Sequence, residues 1–388
     1  MRIAIVVPYF SAQIGSNEYG LAKYLTEFGH DVTILASSRT TSARLRHVAM
    51  RPTTMPKIRG ELPRVHFLST PIDIVELPIM PTLPRELKLL SPDVVHAQED
   101  YQPSSLLAYL ATRTNKVPFI VSNERYYYPP HPWKVPSICL DMTIAKYVRD
   151  HASLITAHSN AARDFLILHG AKPQKTRLIH VGAETDLFKP LKTNSILRER
   201  LGFSDDALVI LTVSRLSSYK GLDLALRAMG TIMREFDEVR YVIFGRGKEE
   251  RRLKRQVARL RMTDEIRFVT RPLPHAEMPK MYSGCDIFLL PSRIEPYGLA
   301  ALEAMSCGKA VIASRVGGLA DIVADGETGF LTSPGNVDEL VRSVSRLVTD
   351  ERLRNRMGFR GRARAVQSFD WKRIVKQYIG CYESLLKR

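Results

Sequence analysis

The chain has 388 residues, about twice the length of a typical single domain, so two globular domains are the default expectation. No apolar run approaches the roughly 18 residues that a membrane-spanning helix needs, and the opening MRIAIVVPYF is typical of a first strand rather than a signal peptide. The four cysteines (Cys139, Cys285, Cys307 and Cys381) form no C-x-x-C pair and no metal-ligand spacing. We therefore expect reduced thiols in a cytoplasmic protein.

The formal net charge is +17, and both halves of the chain carry an excess of Lys and Arg. Such a field favours anionic partners: phosphorylated ligands, an anionic membrane surface or nucleic acid. The basic residues are dispersed and carry no interleaved aromatic recognition motif, so no nucleic-acid partner is expected.

Short apolar strands alternate with helical patterns along the first half. The predicted strands are IAIVVPYF (3–10), DVTILAS (31–37), PDVVHAQ (92–98), VPFIVS (117–122), ASLITAHS (152–159) and TRLIHVG (176–182), and residues 18–29 have helical spacing. The segment 37–90 departs from this rhythm, because 37–64 carries seven basic residues against one acid and four prolines follow. We expect it to be irregular, and either a solvated basic loop or a surface for anionic lipid or acceptor.

The second half restarts the same alternation. Its predicted strands are ALVILTVS (207–214), VRYVIFG (239–245), EIRFVT (265–270), CDIFLLPS (285–292), KAVIAS (309–314) and GFLTS (329–333), with helices over 220–235, 248–261 and 298–306. Residues 336–388 are predicted to be helical. Continuous apolar strands between helices indicate parallel sheets covered on both faces.

We therefore predict an α/β protein of two doubly wound, Rossmann-like domains, 1–185 and 186–388, that face a central cleft. The boundary should lie in the polar stretch 182–195. The last helix, about 370–386, either stays with the second domain or packs back on the first.

The stretch EPYGLAALEAMSCG (295–308) places two glutamates eight residues apart. Pro296 and Gly298 argue that Glu295 lies in the loop beyond a strand, on the ligand-facing side. The amides of Gly298, Leu299 and Ala300 then form a first helical turn that can bind phosphate oxygens. Glu303, further along the helix, can accept hydrogen bonds from a ribose diol. The alternative is a helix cap followed by a solvated glutamate.

The stretch TVSRLSSYKG (212–221) brackets a short polar loop with two cations, Arg215 and Lys220. Two cations beyond the carboxyl end of a strand suit a diphosphate. The alternative is a pair of ordinary surface cations.

These motifs, with VIFGRG and DIVADGETGFL, resemble the family-4 retaining glycosyltransferases of GT-B fold across essentially the whole second half. The resemblance implies that Arg215 and Lys220 bind the donor diphosphate, Glu303 the nucleotide ribose and Glu295 the donor sugar hydroxyls. Tyr297 stands where such proteins often have Phe. Gly245 opens the loop that borders the nucleotide base in such proteins.

The first half resembles the family less closely. VVPYFSAQIGSNEYGLAKYLTEFGHDVTIL is similar to the family's opening strand, loop and helix, with Gly15-Ser16 where a glycine pair is usual. Many relatives carry a histidine after the strand 117–122, whereas this chain has Glu124 beside Arg125. Glu124 either binds the acceptor or pairs with a cation. His96 is expected at a strand end, as an acceptor-side residue or a satisfied structural histidine.

The resemblance implies a retaining hexosyltransferase that moves a sugar from a UDP- or GDP-linked donor to a glycan or lipid-linked acceptor. No D-x-D triplet occurs, so we expect no dedicated metal site and no cofactor beyond the nucleotide-sugar substrate. The expected role is cell-envelope polysaccharide, glycolipid or protein-glycan synthesis, in the cytoplasm or at the inner face of the cell membrane. Two alternatives stay open: a sugar-nucleotide epimerase of the same architecture and a catalytically silent sugar-binding homologue.

Overall fold

The structure of the protein is a computed structural model. It describes residues 1–10, 17–39, 63–74, 76–191, 198, 201–204 and 206–387. The chain divides into two compact units. The first comprises Met1–Gly182 and Trp371–Arg388, and the second comprises Ala183–Asp370. The predicted boundary at 185/186 lies three residues beyond the observed division, and the last helix belongs to the first unit.

The first unit contains a seven-stranded parallel sheet in the order β3-β2-β1-β6-β7-β8-β9. Its strands are β1 (Arg2–Val7), β2 (Asp31–Ser37), β3 (Arg64–Leu68), β6 (Val94–Gln98), β7 (Phe119–Asn123), β8 (Leu154–Ala157) and β9 (Thr176–Leu178), and β4 (Ile72–Asp73) with β5 (Pro78–Ile79) forms a separate antiparallel pair. Its α-helices are Asn17–Glu27, Leu83–Leu90, Pro103–Thr112, Lys134–Leu140, Lys146–His151, Asn160–Leu168 and Trp371–Leu386, with a π-helix at Asp141–Ala145.

The second unit contains a six-stranded parallel sheet in the order β12-β11-β10-β13-β14-β15. Its strands are β10 (Leu208–Val213), β11 (Val239–Phe244), β12 (Ile266–Val269), β13 (Ile287–Leu290), β14 (Ala310–Ser314) and β15 (Gly329–Thr332). Its α-helices are Leu222–Glu235, Glu250–Leu260, Met278–Ser283, Leu299–Ser306, Leu319–Ile322, Val337–Thr349 and Glu351–Ser368. Two parallel Rossmann-like sheets with helices confirm the predicted fold class.

Both faces of the second sheet are buried, as the continuous apolar strands predict. Along β13, Phe288 and Leu290 pack into one core, whereas Ile287 and Leu289 pack into the core on the opposite face. Because successive side chains of a strand point to opposite faces, a strand that is apolar at every position needs a helix layer on each side.

The prediction of an irregular segment 37–90 is wrong for residues 64–68 and 83–90, and residues 40–62 of that segment lie outside the described residues. β3 adds a parallel edge strand to β2, with Arg64 opposite Thr33 and Leu68 opposite Ser37. Backbone pairing along the sheet edge supports this strand, although its side chains alternate only weakly between buried and exposed. Pro84 does not prevent the helix Leu83–Leu90, because it stands in the first turn, where no intrahelical N–H bond is lost.

The last helix completes the first unit through a single large side chain. The indole of Trp371 stacks on Tyr24 at 6.1 Å between ring centroids and 15° between planes. Gly20 and Gly182 lie directly against the same indole, and a Cβ on either would overlap it. These glycines leave the space that the tryptophan fills.

Replacing Gly20 with alanine is therefore expected to destabilise the first unit by about 1–3 kcal/mol, because the added methyl overpacks the Trp371 indole. Gly380 is the matched control. It is exposed in the helix that carries Trp371, and no atom lies within 4 Å of its ideal Cβ. Gly380→Ala should leave stability unchanged or raise it by up to about 1 kcal/mol. Urea unfolding of both variants measures the difference, and equal stabilities would contradict the packing argument.

Candidate functional site

The strand order of the second sheet reverses between β10 and β13. These two strands are direct neighbours, with Ile210 opposite Ile287 and Leu211 opposite Phe288. In open parallel sheets, ligands bind in the crevice outside the carboxyl ends of the strands at such a reversal. The loops that follow the two strands, 214–221 and 291–298, are therefore the candidate site.

The structure brings two of the predicted site residues from these loops into contact. Lys220 Nζ donates to Glu295 Oε2 at 2.6 Å, and Ser292 Oγ donates to the same oxygen at 3.0 Å. The two charged side chains are only 19% and 10% exposed. Burial weakens solvent screening, so each charge fixes the position of the other more firmly than a surface pair would.

Arg293 ties the two loops together, and sequence analysis missed it. Its backbone N–H donates to Tyr219 O at 2.6 Å, and its Nη1 donates to Ser218 O at 2.8 Å. The guanidinium also makes a bidentate pair with Asp223, at 2.8 Å for each N–H···O bond, which lowers the pKa of that carboxyl. The bonds of Arg293 thus hold the loop that carries Lys220 against the loop that carries Glu295.

The helix Leu299–Ser306 begins at a residue that must be glycine. Gly298 has φ 84°, and a Cβ there would lie 2.6 Å from Leu319 Cδ2. The first helical turn, which includes Leu299 and Ala300, has amides without intrahelical partners and carries the positive end of the helix dipole. Tyr297 is half-buried just before this turn. The arrangement is suited to bind an anion, as the sequence predicts.

Arg215 lies two residues beyond the end of β10 and is half-buried. No carboxylate within the described part of the chain pairs with its guanidinium. Two buried hydroxyls beside it, Ser214 Oγ and Ser217 Oγ, also lack a hydrogen-bond partner among the described residues. Sequence analysis missed these serines, because a serine in a polar loop carries no signal of burial. A half-buried cation and two buried hydroxyls after one strand are groups that an anionic ligand satisfies.

Glu303 lies further along the same helix. Tyr282 Oη donates to its Oε2 at 2.6 Å. Burial raises the pKa of Glu303, and the nearby His275 opposes that increase. His275 Nε2 in turn lies 3.3 Å from Glu184 Oε1. The carboxylate keeps acceptor capacity for a further donor, such as a ligand hydroxyl.

Gly245 has a backbone role in the structure. Its φ is 144°, and a Cβ would overlap Ser214 O, so the turn after β11 lies directly against the loop that carries Arg215. Leu216 N donates to Arg246 O across this approach at 2.8 Å. The predicted base contact of Gly245 remains a prediction, and Gly15 lies outside the described residues. Among the residues that are described, no group of three or more His, Cys, Asp or Glu side chains is placed to hold a metal ion.

In the first unit, His96 lies within β6 and is fully buried. Its Nδ1 bonds to Tyr382 Oη at 2.7 Å and its Nε2 to Ser122 Oγ at 2.5 Å. Both ring nitrogens are therefore engaged inside the unit, which corresponds to the structural alternative for this residue. Burial, with the nearby His158, lowers the pKa of His96 to about 3.

Arg125 belongs to an ion-pair cluster in the first unit. It bonds to Asp141 and lies 3.8 Å from Asp100 Oδ1, and its guanidinium stands 4.7 Å from the centroid of the Tyr101 ring. Arg149, only 2% exposed, pairs with the same two carboxylates at 2.7 and 2.9 Å. Charges of opposite sign therefore balance each other in this buried cluster.

A second polar cluster lies where β6 and β7 end. Glu124 N donates to Glu99 Oε1 at 2.9 Å. Burial and the neighbouring Glu124 charge raise the pKa of Glu99 well above its ordinary value. Several buried polar atoms here have no hydrogen-bond partner among the described residues: Gln98 Nε2, Glu99 Oε2, Gln102 Oε1 and Asn123 Nδ2. Buried donors and acceptors in this state are costly and are suited to a hydroxyl-rich ligand.

Two family models match the chain. "Glycosyltransferase Family 4" matches residues 19–187 and "Glycosyl transferases group 1" matches residues 194–364. Together they span most of both units, and each falls on one of the two Rossmann-like sheets. The two units define the chain as a glycosyltransferase of GT-B fold. It belongs to the family-4 glycosyltransferases.

Curated relatives cover part of the chain. A D-inositol 3-phosphate glycosyltransferase of Acidothermus cellulolyticus is 34% identical over 242 residues, which are 60% of this chain and 53% of that one. A GDP-mannose-dependent alpha-(1-6)-phosphatidylinositol monomannoside mannosyltransferase of Mycolicibacterium smegmatis is 33% identical over 199 residues, 49% of this chain and 52% of that one. The chain thus spans about half the length of the curated relatives it matches.

Solved structures match over the full length and support the fold. HepE of Anabaena, in complex with UDP, gives a TM-score of 0.81 at 23% identity, covering 99% of this chain and 100% of that one. Sucrose-phosphate synthase of Thermosynechococcus elongatus gives a TM-score of 0.79 at 21% identity, with 100% of both chains covered.

The buried histidines predict acid sensitivity. The pKa is lowered by burial to about 3 for His96 and about 4 for His158, so the unfolded chain binds protons at these sites below about pH 6.5 while the folded chain does not. Each histidine therefore contributes a loss of stability of up to about 1.4 kcal/mol per pH unit as the pH drops from about 6.5 to 4, whereas the raised pKa values of Glu99 and Glu303 contribute in the opposite direction.

Urea unfolding at several pH values tests this expectation. His96→Asn removes one titrating group. The free energy of unfolding should then depend less steeply on pH over the same window, by about 1.4 kcal/mol per pH unit. His131→Gln, at an exposed position of the same unit, is the control and should leave the slope unchanged. A wild-type slope in the His96 variant would contradict the assignment.

Proposed function

We propose that this protein transfers a hexose from a UDP- or GDP-linked donor to a glycan or lipid-linked acceptor, with retention of anomeric configuration and without a catalytic metal ion. The proposal depends on one observation above others. At the strand-order reversal of the second unit, Lys220 and Glu295 are in contact at 2.6 Å, each from a different loop. A cation for the diphosphate and a carboxylate for the sugar hydroxyls are thereby held side by side.

The proposed mechanism follows the charges of the reaction. Cleavage of the bond between sugar and diphosphate builds negative charge on the leaving phosphate and oxocarbenium character on the sugar. Arg215, Lys220 and the amides of the helix that begins after Gly298 are groups that stabilise the first charge. These side chains and amides carry positive charge or partial charge, as a metal ion does in other transferases. Their presence supports the proposal of metal independence.

The donor is proposed to lie along the helix Leu299–Ser306. Its diphosphate would meet the first turn, Arg215, which pairs with no carboxylate among the described residues, and the buried hydroxyls of Ser214 and Ser217. Its ribose would bond to Glu303, and its sugar would bond to Glu295. UDP is bound by HepE of Anabaena, and GDP-mannose is the donor named for the Mycolicibacterium smegmatis relative. Both kinds of donor are consistent with the proposed site.

The acceptor is proposed to present hydroxyls to the polar cluster at the ends of β6 and β7. Burial and the neighbouring Glu124 charge raise the pKa of Glu99, and its buried Oε2, which has no hydrogen-bond partner among the described residues, offers one position for an acceptor hydroxyl. Gln102 Oε1 and Asn123 Nδ2, which have no hydrogen-bond partner in the described part of the chain, offer a further acceptor and donor. One relative acts on inositol 3-phosphate and another on a phosphatidylinositol mannoside, which supports a polyol or lipid-linked acceptor. A lipid-linked acceptor favours a cytoplasmic protein that works at a membrane surface.

Loss of the proposed phosphate ligands should abolish most activity. Arg215→Gln and Lys220→Gln are each expected to lower the rate of donor hydrolysis and of transfer by roughly 10²–10³-fold, the usual cost of one group that stabilises developing charge. Purified protein is first screened against a panel of nucleotide-sugars for slow hydrolysis without acceptor, and the best donor is then used for the variants.

Arg227→Ala is the matched control, because Arg227 is an exposed cation on the helix that follows the same loop. It should turn over at the wild-type rate. Near-normal turnover of Arg215→Gln or Lys220→Gln would refute the phosphate assignment. A changed donor sugar in place of hydrolysis would indicate an epimerase.

The stereochemical proposal has its own measurement. Transfer in which the leaving phosphate accepts the acceptor's proton places attack on the same face of the sugar, so an α-linked donor should give an α-linked product. Proton NMR of the first product formed from the donor reads the anomeric coupling directly. A β-linked product would exclude the retaining mechanism while leaving glycosyl transfer itself intact.

A further inference from the structure

A histidine and a glutamate that the proposed mechanism does not use form a fixed pair in the second unit. His275 begins the short helical turn His275–Glu277, and its Nε2 lies 3.3 Å from Glu184 Oε1. The two side chains are only 22% and 11% exposed. The ring of Phe188 packs against the His275 imidazole in a T-shaped arrangement, with 5.1 Å between the centroids. A carboxylate and an aromatic ring therefore fix the position of this imidazole.

The same aromatic ring connects this pair to Glu303. The ring of Phe188 also lies 5.8 Å from the ring of Tyr282, again in a T-shaped arrangement. Tyr282 Oη donates to Glu303 Oε2 at 2.6 Å. His275 and Tyr282 are seven residues apart on adjoining helical turns, and both contact Phe188. The imidazole and the carboxylate of Glu303 thus belong to one packed cluster.

Cations on the neighbouring elements bond to backbone carbonyl oxygens. Arg362 Nη1 donates to three of them, at 2.8, 2.8 and 3.0 Å: those of Thr185, Phe188 and Ser306. The first two belong to the turn that carries Glu184, and the third ends the helix that carries Glu303, so Arg362 holds the two together. Lys309 Nζ donates to Ser283 O at 2.8 Å.

The charge of His275 acts directly on Glu303. Burial raises the pKa of Glu303, the charge of His275 and the bond from Tyr282 lower it, and the charge of Glu184 raises it. Burial also raises the pKa of Tyr282 and raises that of Cys307 to about 12, so both of these neighbours stay neutral. His275 therefore supplies the strongest positive influence on this carboxyl.

A ribose contact needs Glu303 in its ionised form. An ionised carboxylate accepts hydrogen bonds on both oxygens, whereas a protonated one carries a hydrogen of its own and loses acceptor capacity. Oε2 already accepts the bond from Tyr282, so the remaining capacity matters for a ligand. Because burial favours the protonated form, a nearby cation is needed to oppose burial. Histidine can supply that charge near neutral pH, and an adjacent carboxylate favours its charged form.

We propose that His275 is a positioning residue for the nucleotide donor: aligned by Glu184, it keeps the Glu303 carboxylate in the form that accepts hydrogen bonds from the ribose hydroxyls. This inference rests on the proposed function, because it takes Glu303 as the ribose ligand. Recognition of the ribose then fails in acid at a pH that His275 sets. With the imidazolium present Glu303 stays ionised to a lower pH, and without it Glu303 takes up a proton at a higher pH.

Calorimetric binding of UDP and of 2′,3′-dideoxy-UDP from about pH 5 to about pH 8.5 tests the inference, and the GDP pair is used if GDP binds more tightly. Both members of a pair carry the same base and diphosphate, so the ratio of their affinities isolates the ribose contact. At the alkaline end, the wild type should bind the ribose form about tenfold more tightly or better. The ratio should fall towards one as Glu303 is protonated.

His275→Gln should move the midpoint of this fall upward by about one pH unit, because the neutral amide leaves burial unopposed. At the alkaline end its ratio should equal the wild-type ratio, since Glu303 is ionised in both proteins. His275→Lys keeps a positive charge next to Glu184 and should hold the midpoint near the wild-type value. His131→Gln, at an exposed position of the first unit, is the control and should leave the midpoint unchanged.

Three results would overturn the inference. The first is a wild-type midpoint in His275→Gln. The second is an equal loss of the ratio at every pH in that variant, which would give the histidine a packing role only. The third is the same shift in His275→Lys as in His275→Gln, which would exclude charge as the cause.

Donor hydrolysis separates this inference from the proposed function. If the wild type hydrolyses a nucleotide-sugar and His275→Gln has a wild-type midpoint, the proposed function stands and the role of His275 fails. If the midpoint shifts as expected and no donor is hydrolysed, the role of His275 stands and the proposed function fails. If neither UDP nor GDP binds, both fail.

Discussion

The reversal of strand order between β10 and β13 is the constraint on which the candidate site depends. It places the carboxyl ends of two strands that are 77 residues apart, at Val213 and Leu290, side by side at one edge of a sheet. The groups that we propose for the leaving phosphate and the sugar depend on this adjacency. Lys220 comes from one loop and Glu295 from the other, and Arg293 donates both its backbone N–H and its guanidinium to backbone carbonyls of the first loop. The parallel pairing of β10 and β13 brings their carboxyl ends to the same edge of the sheet. The loops that follow the two strands then supply the side chains of the candidate site.

The sequence was sufficient for the fold class and for placing Gly298, Lys220 and Glu295 in loops beyond strand ends, for physical reasons that these residues illustrate. Apolar strands without alternation require two covering layers, and β13 shows both cores. Gly298 is recognisable because it and Pro296 break regular structure just before a run of strong helix formers. Lys220 and Glu295 are recognisable because charged residues directly beyond apolar strands lie at the ligand-facing edge. None of these inferences requires a distance between residues far apart in the chain.

Other features could not be predicted, because they depend on tertiary contacts that leave no local pattern. Arg293 is one of many arginines until Asp223 is placed opposite it. His96 has the same sequence signature as a ligand-facing histidine, and only the positions of Ser122 and Tyr382 show that both its nitrogens are engaged. β3 was missed because an edge strand is stabilised by its neighbour's backbone rather than by its own apolar side chains. The polar cluster at the ends of β6 and β7 is the least predictable region for the same reason.

The return of the chain to its first unit has a consequence for biosynthesis. The indole of Trp371 fills a space lined by Gly20 and Gly182, and Tyr382 bonds His96 inside that unit. A ribosome delivers these residues only after all of Ala183–Asp370 has been made. The unit whose synthesis starts first is thus the last to close its core, and the intervening unit can fold as an uninterrupted segment before it. Until the last helix arrives, the nascent first unit carries an open apolar face that chaperones are suited to cover.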